Sequence, residues 1–242
     1  MSPEELHHHT LHQLDAWGGY PAIALLMHHA PSLHVYLAGG ALRDILLRRS
    51  NPPKDFDLFV QGASLEDIVS FLELHGRVEY GPFGSPRWFP SSAQGKYADV
   101  IGIERFWNGV SWCRNIDDAL RQFDFTANAT AIDIRTGEFF DPLIALDDIQ
   151  SGVMRAVRFD YPDEMISERC SLTRPAIVWF RILHYAAACR LKIEPETLAW
   201  LRRNTQYREA TQAFEDVFFK LDRDAFTPIN VGAFRERRLE QS

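Results

Sequence analysis

The pattern of apolar and polar positions is most regular between residues 35 and 60. Residues 35–37 form a short apolar run that suits a buried strand, and Gly39 and Gly40 follow shortly after it. Apolar residues then recur at helical spacing over 41–46, and a second strand pattern runs over 55–60. This segment therefore predicts a strand, a glycine turn, a short helix and a second strand.

The same patterns predict further elements on both sides of this segment. Residues 1–32 favour helices, and Ser64 is suited to cap a helix because its hydroxyl can accept a hydrogen bond from the first turn. The other elements are a helix over 65–72, strands over 77–80 and 97–103, a loop or strand pair over 81–95, a hairpin over 131–142, a buried helix from Thr173 onward and an amphipathic helix over 214–221. The chain thus predicts strands and helices first, and helices in its last third.

Two carboxylates stand in the second strand of the first segment. Asp55 and Asp57 flank Phe56, and residues two apart in a strand point to the same face of the sheet. Such carboxylates repel each other unless a cation or a proton lies between them, and hard oxygen ligands suit Mg2+ that bridges to substrate phosphates. A lone Asp-x-Asp is more often a solvated loop end, but the glycine turn upstream favours a metal site.

The glycine turn itself suits an anion. Gly39 and Gly40 leave the amide groups at the start of the helix accessible, and Arg43 lies beside its first turn. Amide N–H groups and a guanidinium can converge there on a phosphate. The segment therefore predicts a phosphate site next to the paired carboxylates.

Composition narrows the class of protein further. The chain has 242 residues, 46% of them apolar, and a formal net charge of −7, which argues against a strongly electrostatic nucleic-acid binder. No apolar run reaches the roughly 18 residues of a membrane span, and three widely spaced cysteines fit a reducing cytoplasm better than disulfides. Arginines concentrate in the last third, as a local basic groove or as solvated helix faces. They are Arg174, Arg181, Arg190, Arg202, Arg203, Arg208, Arg235, Arg237 and Arg238.

The glycine turn and the carboxylate pair together resemble a motif of a known family. Gly39-Gly40-Ala41-Leu42-Arg43-Asp44, followed by Asp55-Phe56-Asp57-Leu58, is similar to the first motif of the class II tRNA nucleotidyltransferases, or CCA-adding enzymes, and the bacterial poly(A) polymerases. These enzymes are members of the polymerase-β-like nucleotidyltransferase superfamily. The resemblance implies an α/β fold, with a small mixed β-sheet nucleotidyltransferase head, flanking helices and an α-helical neck after it.

By this resemblance, three carboxylates are the candidate catalytic and metal-binding residues. Asp55 and Asp57 match the paired acids of the first motif. Asp99, in the strand pattern over 97–103, is similar in position to the third acid on a neighbouring strand, although it could also be an ordinary strand-edge Asp. The three would hold two Mg2+ ions, with Mn2+ as an alternative.

The resemblance also implies a set of nucleotide-binding residues. Asp124 and Asn128 fall in a segment similar to the second family motif and would orient the sugar of the incoming nucleotide. Gly39, Gly40 and Arg43 would hold its triphosphate.

Two departures from the family pattern bear on the nucleotide. Gln122 and Phe123 stand where the second motif has two arginines, which puts triphosphate contacts from this segment in doubt. Arg174, Pro175 and Val178 stand where the family has the Glu, Asp and Arg that read the edge of the incoming base. The usual template for choosing C or A is therefore absent from those positions.

The resemblance covers roughly residues 33 to 200 and divides the chain into four parts. These are an N-terminal helical segment over 1–32, the catalytic head over 33–158, the helical neck over 159–221 and a polar, loosely held tail over 222–242. Family enzymes usually continue into body and tail domains that grip the tRNA, and this chain ends before them. A protein partner could supply those functions.

The expected activity is transfer of a nucleoside monophosphate from an NTP to an acceptor hydroxyl, with release of pyrophosphate. The first expectation for the acceptor is an RNA 3′ end of tRNA type, in the cytoplasm and away from membranes. One alternative is a nucleotidyltransferase that acts on a protein or a small molecule. The other is a binding module that keeps the nucleotide site without turnover.

Overall fold

A computed structural model describes residues 1–49, 53, 55–81, 84–93, 95–106, 111–167 and 170–230. The chain forms two compact units. The first contains residues 1–123 and 127–146, and the second contains residues 124–126 and those from 147 onward. None of the helices in the described ranges is long and apolar enough to cross a membrane.

The first unit is built from helices and one sheet. Its helices are α1 (Pro3–Trp17), α2 (Tyr20–His29), α3 (Gly39–Leu46), α4 (Leu65–Glu73) and α5 (Ile116–Leu120). Its strands are β1 (His34–Ala38), β2 (Asp55–Gln61), β3 (Gly76–Tyr80), β4 (Pro86–Pro90), β5 (Tyr97–Gly102), β6 (Ala131–Asp133) and β7 (Phe139–Phe140). Short 3-10 turns occur at Ile103–Arg105 and, across the boundary of the two units, at Thr126–Asn128.

The strands form one seven-stranded sheet with the order β3-β4-β5-β2-β1-β6-β7. Strands β2 and β5 run parallel, and every other neighbouring pair is antiparallel. The predicted class, α/β with a small mixed sheet and flanking helices, is therefore confirmed. Within 81–95, the residues that the structure describes contain one strand, β4, which pairs with β3 on one side and β5 on the other.

Capping side chains start the helices where the sequence pattern places them. Ser2 and Glu5 form a capping box at the start of α1, in which each side chain accepts a hydrogen bond from the other residue's backbone N–H. Ser64 accepts a hydrogen bond from the backbone of Asp67 at the start of α4, as its position predicts.

One face of the sheet packs into the main core. The opposite face, the polar face, carries acidic side chains where β2 begins and the buried ring of Phe59 farther along that strand. Trp88 of β4 is fully buried, and its ring centroid lies 5.5 Å from that of Trp17 of α1. Trp17 also packs on Phe56 of β2, with centroids 4.7 Å apart. Because successive strand residues point to opposite faces, the neighbours of Trp88 and Phe56 in their strands point away from this core.

The second unit is mostly helical, with short pieces of strand. Its elements begin with α6 (Ala145–Gln150), which starts at the boundary of the two units. They continue with β8 (Val153–Met154), β9 (Met165–Ser167), β10 (Cys170–Thr173), α7 (Arg174–Cys189), β11 (Lys192–Ile193), α8 (Pro195–Arg203), a 3-10 segment (Thr205–Ala210) and α9 (Thr211–Val217). The buried helix predicted from Thr173 is α7, with Pro175 in its first turn.

Two expectations for this unit differ from the structure. The predicted helical neck also contains the antiparallel strand pair β9 and β10, and the strand β11, which pairs in parallel with β8 before the neck. These strands have two to four residues each, too few for an alternating pattern to be recognised in the sequence. The helix predicted over 214–221 is shifted toward the N-terminus. It is α9, which begins at Thr211 and ends at Val217.

The expectation of a loosely held tail is wrong for the part of it that the structure describes. Ala225 is fully buried, Ile229 is 9% exposed, and the ring of Phe226 lies 5.9 Å from that of Trp179 in α7. These apolar side chains bury against the helix and hold the segment. The prediction for residues 231–242 lies outside the described residues.

Candidate active site

Two acidic side chains lie on the polar face of β2. Phe56 and Leu58 point into the core and are 1% and 2% exposed, so Asp55 and Asp57 point to the opposite face. Asp55 is exposed and Asp57 is half-buried. In the parallel register of β2 and β5, Asp99 lies directly opposite Asp57. The sheet therefore brings all three predicted carboxylates to one face.

The first residue of α3 makes a close approach to this face. Gly39 has a φ of 70°, in the left-handed region that favours glycine. A Cβ built on Gly39 would overlap the Oδ2 atom of Asp57. Gly40 is under less constraint, because a Cβ there would lie 3.6 Å from the guanidinium of Arg43, an ordinary contact distance. Of the two predicted glycines, Gly39 is therefore the one that the backbone and the carboxylate require.

Asp99 is paired with a cation on the next strand. Arg87 of β4 stands opposite Asp99 in the antiparallel register, and its Nε donates a hydrogen bond to Asp99 Oδ1 at 3.0 Å. Burial raises the pKa of Asp99, Arg87 opposes that shift through its charge and hydrogen bond, and the charge of Asp55 adds to it. The carboxylates of Asp55 and Asp99 therefore interact, and Arg87 neutralises part of the acidic cluster.

Tyr97 lies at the other end of this cluster. It stands opposite Asp55 in the register of β2 and β5, and its hydroxyl donates a long hydrogen bond of 3.4 Å to Asp55 Oδ2. Burial, and then the charge of Asp55, raises the pKa of Tyr97 to about 12. The phenol is therefore protonated at neutral pH and can act as a donor to the carboxylate.

The three carboxylates share a face without converging on one point. Within the described ranges, no group of three or more His, Cys, Asp or Glu side chains is arranged to hold a metal ion. Asp55 and Asp57 nevertheless present hard oxygen donors on the face that α3 approaches at Gly39, and such donors fit a divalent cation such as Mg2+. To bind the same cation, Asp99 would have to break its hydrogen bond with Arg87 or use its second carboxylate oxygen.

The guanidinium of Arg43 is buried and already hydrogen-bonded. Arg43 is 4% exposed, and its Nη1 donates to Asn128 Oδ1 at 2.8 Å while its Nε and Nη2 contact Asp44 Oδ1 at 2.9 and 2.8 Å. The structure thus brings together two of the predicted nucleotide-binding residues, Arg43 and Asn128, that are 85 positions apart in the chain.

Asp124 lies in the second unit, where it pairs with a residue of α7. Arg181 Nε donates to Asp124 Oδ2 at 2.5 Å, and the two side chains are 28% and 10% exposed. The guanidinium of Arg181 also lies 5.4 Å from the ring centroid of Tyr185. Asp124 is therefore held by a charged hydrogen bond.

The two residues that replace the motif's arginines both pack inside the first unit. Gln122 is 1% exposed, and its Nε2 donates to the backbone carbonyl of Ser111 at 2.6 Å and contacts Cys113 Sγ at 2.9 Å. The ring of Phe123 lies 5.7 Å from that of Phe59 in β2. These side chains have become part of the packing around the sheet.

The residues in place of the family's base-reading motif lie in the first turns of α7. Pro175 and Val178 are buried, so they present no hydrogen-bonding side chain there. Arg174 is half-buried, and burial lowers the pKa of its guanidinium while nearby Tyr161 and Glu164 oppose that shift. One cation thus stands where the family motif has an acid.

Arg87 and Tyr97 were not predicted as site residues. Both residues lie beside the carboxylates because of the register in which β4, β5 and β2 pair. The pattern of apolar and polar residues in the sequence does not specify that register. Arg181 was noted only among the arginines of the last third, and its partner Asp124 is 57 positions away.

Comparisons with solved structures identify the fold. The fold is shared with a tRNA nucleotidyltransferase complexed with a primer tRNA and an incoming ATP analog, at a TM-score of 0.62 and 20% identity, covering 89% of this chain and 60% of that one. It is shared also with a CCA-adding enzyme in complex with CTP, at a TM-score of 0.59 and 21% identity, covering 84% of this chain and 46% of that one. The fold is therefore that of the tRNA nucleotidyltransferases.

Curated sequences agree with this class. The chain is 28% identical over 199 residues to the CCA-adding enzyme of Streptococcus pneumoniae serotype 19F, covering 80% of this chain and 46% of that protein. It is also 28% identical over 214 residues to the multifunctional CCA protein of Xanthomonas oryzae pv. oryzae, covering 84% and 47%. No protein-family model matches the chain. The resemblance to the class II tRNA nucleotidyltransferases is thus confirmed, and the chain spans about half the length of these relatives.

Proposed function

We propose that this protein is a metal-dependent nucleotidyltransferase that transfers a nucleoside monophosphate from an NTP to an RNA 3′ end of tRNA type, releasing pyrophosphate. The observation that carries the proposal is the geometry of Asp55 and Asp57, which share the polar face of β2 directly beside Gly39. Because Gly39 has no side chain, its left-handed backbone lies directly against the Asp57 carboxylate, which brings the first turn of α3 to the paired acids. Relatives named CCA-adding enzyme support the same activity.

Asp55 and Asp57 are the proposed metal ligands, with Asp99 as the third. When bound, a pair of Mg2+ ions, or Mn2+ in their place, lowers the pKa of the attacking hydroxyl and stabilises the charge that develops on the leaving pyrophosphate. Arg87 holds Asp99 in position through a hydrogen bond. The Tyr97 hydroxyl donates a hydrogen bond to the Asp55 carboxylate and so orients it.

The nucleotide is held by the first turn of α3 and its surroundings. Gly39 and Gly40 present backbone N–H groups that are suited to phosphate oxygens. Arg43 carries a positive charge just behind them, and Asn128 fixes the orientation of its guanidinium. We retain Asp124 as a residue that orients the sugar, with Arg181 holding its carboxylate in place through a hydrogen bond.

The acceptor is proposed from the relatives. One of the solved structures with this fold is named as a complex with a primer tRNA. The chain spans about half the length of the curated relatives. The proposal includes a protein partner that would hold the rest of a tRNA. The cytoplasm remains the expected location, and it follows from the tRNA substrate.

The experiment that tests the proposal is release of pyrophosphate from ATP, CTP, GTP and UTP in Mg2+, with and without a tRNA pool. The blank is the double variant Asp55→Ala/Asp57→Ala, and the matched control is Asp15→Ala, which removes an exposed carboxylate from α1. We expect release that needs tRNA, survives in Asp15→Ala and is lost in the double variant with an unchanged melting temperature.

Other outcomes separate the alternatives. Release that needs the two aspartates but not tRNA would favour a protein or small-molecule acceptor. Calorimetric binding of Mg2+ and nucleotide without any release would favour a binding module, for which the pairing of Asp99 with Arg87 is the supporting observation. Equal release by the wild type and the double variant would refute the assignment of the site.

A further inference from the structure

Two aromatic side chains lie next to each other on the polar face of β3, β4 and β5, and an arginine lies beside each of them. The guanidinium of Arg77 lies 4.5 Å from the ring centroid of Phe89, the rings of Phe89 and Tyr97 are 5.2 Å apart, and the guanidinium of Arg87 lies 4.8 Å from the ring of Tyr97. Trp88, between Arg87 and Phe89, points into the core. We refer to Arg77, Phe89, Tyr97 and Arg87 as the aromatic row.

The aromatic row is accessible from solvent. The side chain of Arg77 is 63% exposed and that of Arg87 is 29% exposed, while Phe89 and Tyr97 are half-buried. Cross-strand pairs of this kind also stabilise a sheet by a few tenths of a kcal/mol to about 1 kcal/mol each. Such stabilisation alone does not explain why the row ends where it does.

The row ends at the proposed catalytic carboxylates. The Tyr97 hydroxyl donates a hydrogen bond to Asp55, and the Arg87 guanidinium donates one to Asp99. Only two strand spacings, about 10 Å, separate β4 from β2. A planar group that stacks on Phe89 would therefore lie close enough for a neighbouring hydroxyl of the same molecule to reach Asp55.

The charges on the row indicate how it would bind. Arg77 is paired with Glu79 and Arg87 is paired with Asp99, so both guanidiniums are largely neutralised. A ligand held mainly through its phosphates would find little net positive charge here. A ligand held by the faces of its bases would find two aromatic rings, each with a guanidinium beside it, which is how proteins bind single-stranded nucleic acid without regard to sequence.

We propose that the aromatic row binds the last bases of a single-stranded RNA acceptor by stacking, and that it directs the 3′ hydroxyl toward Asp55 and Asp57. The inference rests on the proposed function, because it gives the acceptor of that reaction its own binding surface. Base stacking tolerates every base, which suits an acceptor whose end changes as nucleotides are added. Because the guanidiniums are already paired, the affinity depends only weakly on salt.

The test uses a six-nucleotide RNA that carries 2-aminopurine next to its 3′ end, since the fluorescence of this base is quenched when it stacks. Binding is measured by anisotropy, and stacking by the fluorescence intensity, in Mg2+ without NTP. We expect Phe89→Leu to weaken binding about tenfold and to relieve the quenching, because base–aromatic stacking is lost. Tyr80→Leu is the matched control, since Tyr80 is 69% exposed and lies in β3 outside the row.

Arg77→Gln provides a second variant that leaves both rings in place. Its side chain is largely exposed, so the melting temperature should be unchanged, and binding should weaken about two- to threefold through the lost cation–π contact. A fully paired RNA duplex should bind weakly, and its affinity should be the same for Phe89→Leu as for the wild type. Calorimetric affinity for nucleotide should be the same in Phe89→Leu as in the wild type.

The result that would overturn the inference is RNA affinity and quenching that are equal in the wild type, Phe89→Leu and Arg77→Gln. Equal sensitivity to Tyr80→Leu, or preferred binding of the duplex, would overturn it as well. These outcomes are independent of the proposed function, which is measured by pyrophosphate release. Binding that depends on Phe89 without any release would keep the aromatic row and refute the transferase.

Discussion

Arg43 and Asn128 are joined by a hydrogen bond of 2.8 Å between Nη1 and Oδ1, although 85 positions separate them in the chain. Arg43 belongs to α3, and Asn128 lies in the segment that resembles the second family motif. The bond fixes the direction of a buried guanidinium behind the first turn of α3. Asn128 is therefore expected to act on the nucleotide largely through Arg43.

We predict that Asn128→Ala and Arg43→Lys each raise the KM for NTP by about tenfold. In both variants the charge remains, but the planar guanidinium loses its fixed orientation or its fork of donors. The double variant should be hardly worse than either single one, because both changes break the same contact. Arg48→Lys is the control, since Arg48 is exposed. Additive effects on KM would show that the two residues act separately.

We predict that Gly39→Ala inactivates the protein. The new Cβ would overlap the Asp57 carboxylate and would also force a non-glycine residue to a φ of 70°. Left-handed backbone alone costs about 1–2 kcal/mol of stability. The matched control is Gly152→Ala, which has a φ of 67° and nothing within 4 Å of its Cβ position.

Urea unfolding and pyrophosphate release separate the two effects of this substitution. Both variants should lose a similar free energy of unfolding through backbone strain. Only Gly39→Ala should lose release of pyrophosphate, by at least a hundredfold. Full activity in Gly39→Ala would mean that the close approach of α3 to Asp57 has no part in the reaction.

We predict that the ion pair between Arg181 and Asp124 stabilises the second unit. The pair is mostly buried, so Arg181→Met should leave a carboxylate without its charged donor and lower the free energy of unfolding by about 1–3 kcal/mol. A double-mutant cycle with Asp124→Asn measures the coupling. The pair Arg158 and Asp160 is the comparison, because the Asp160 side chain is 74% exposed and its coupling should be near zero.

We predict that Tyr97 titrates about two pH units above an ordinary tyrosine, because it is partly buried and lies beside Asp55. The pKa of Tyr97 is raised to about 12 by burial and by Asp55, so the folded protein keeps this proton while the unfolded chain releases it near pH 10. The contribution of Tyr97 to stability is therefore complete below pH 10 and is lost as the pH rises toward 12. Absorbance at 295 nm checks this.

In Tyr97→Phe the late step in that alkaline titration should shrink by one tyrosine. Stability should also fall less steeply than in the wild type between pH 10 and 12. Tyr80→Phe is the control, because Tyr80 is 69% exposed and lies outside the acidic cluster. An unchanged late step in Tyr97→Phe would contradict the burial of this phenol beside Asp55.

Much of the first unit was predictable because its signals are local. Alternating residues in β2 put Asp55 and Asp57 on one face, and Ser64 capped α4 through a contact three residues away. Gly39 and Gly40 marked the turn between β1 and α3, and these short-range features also carried the resemblance to the tRNA nucleotidyltransferases. The roles of the site residues remain predictions, which the experiments above test.

Only the tertiary structure decided what meets the acidic side chains. Strand register is set by packing across the whole sheet, so nothing near Asp99 in the chain indicates that Arg87 faces it. The pairing of Asp124 with Arg181 likewise depends on how α7 packs. The strands near α7 are too short to give an alternating pattern in the sequence. The sequence by itself determined the elements and the candidate chemistry, because turns, caps and alternation are local. The folded chain determined which charges are neutralised, because that depends on contacts between residues far apart in the sequence.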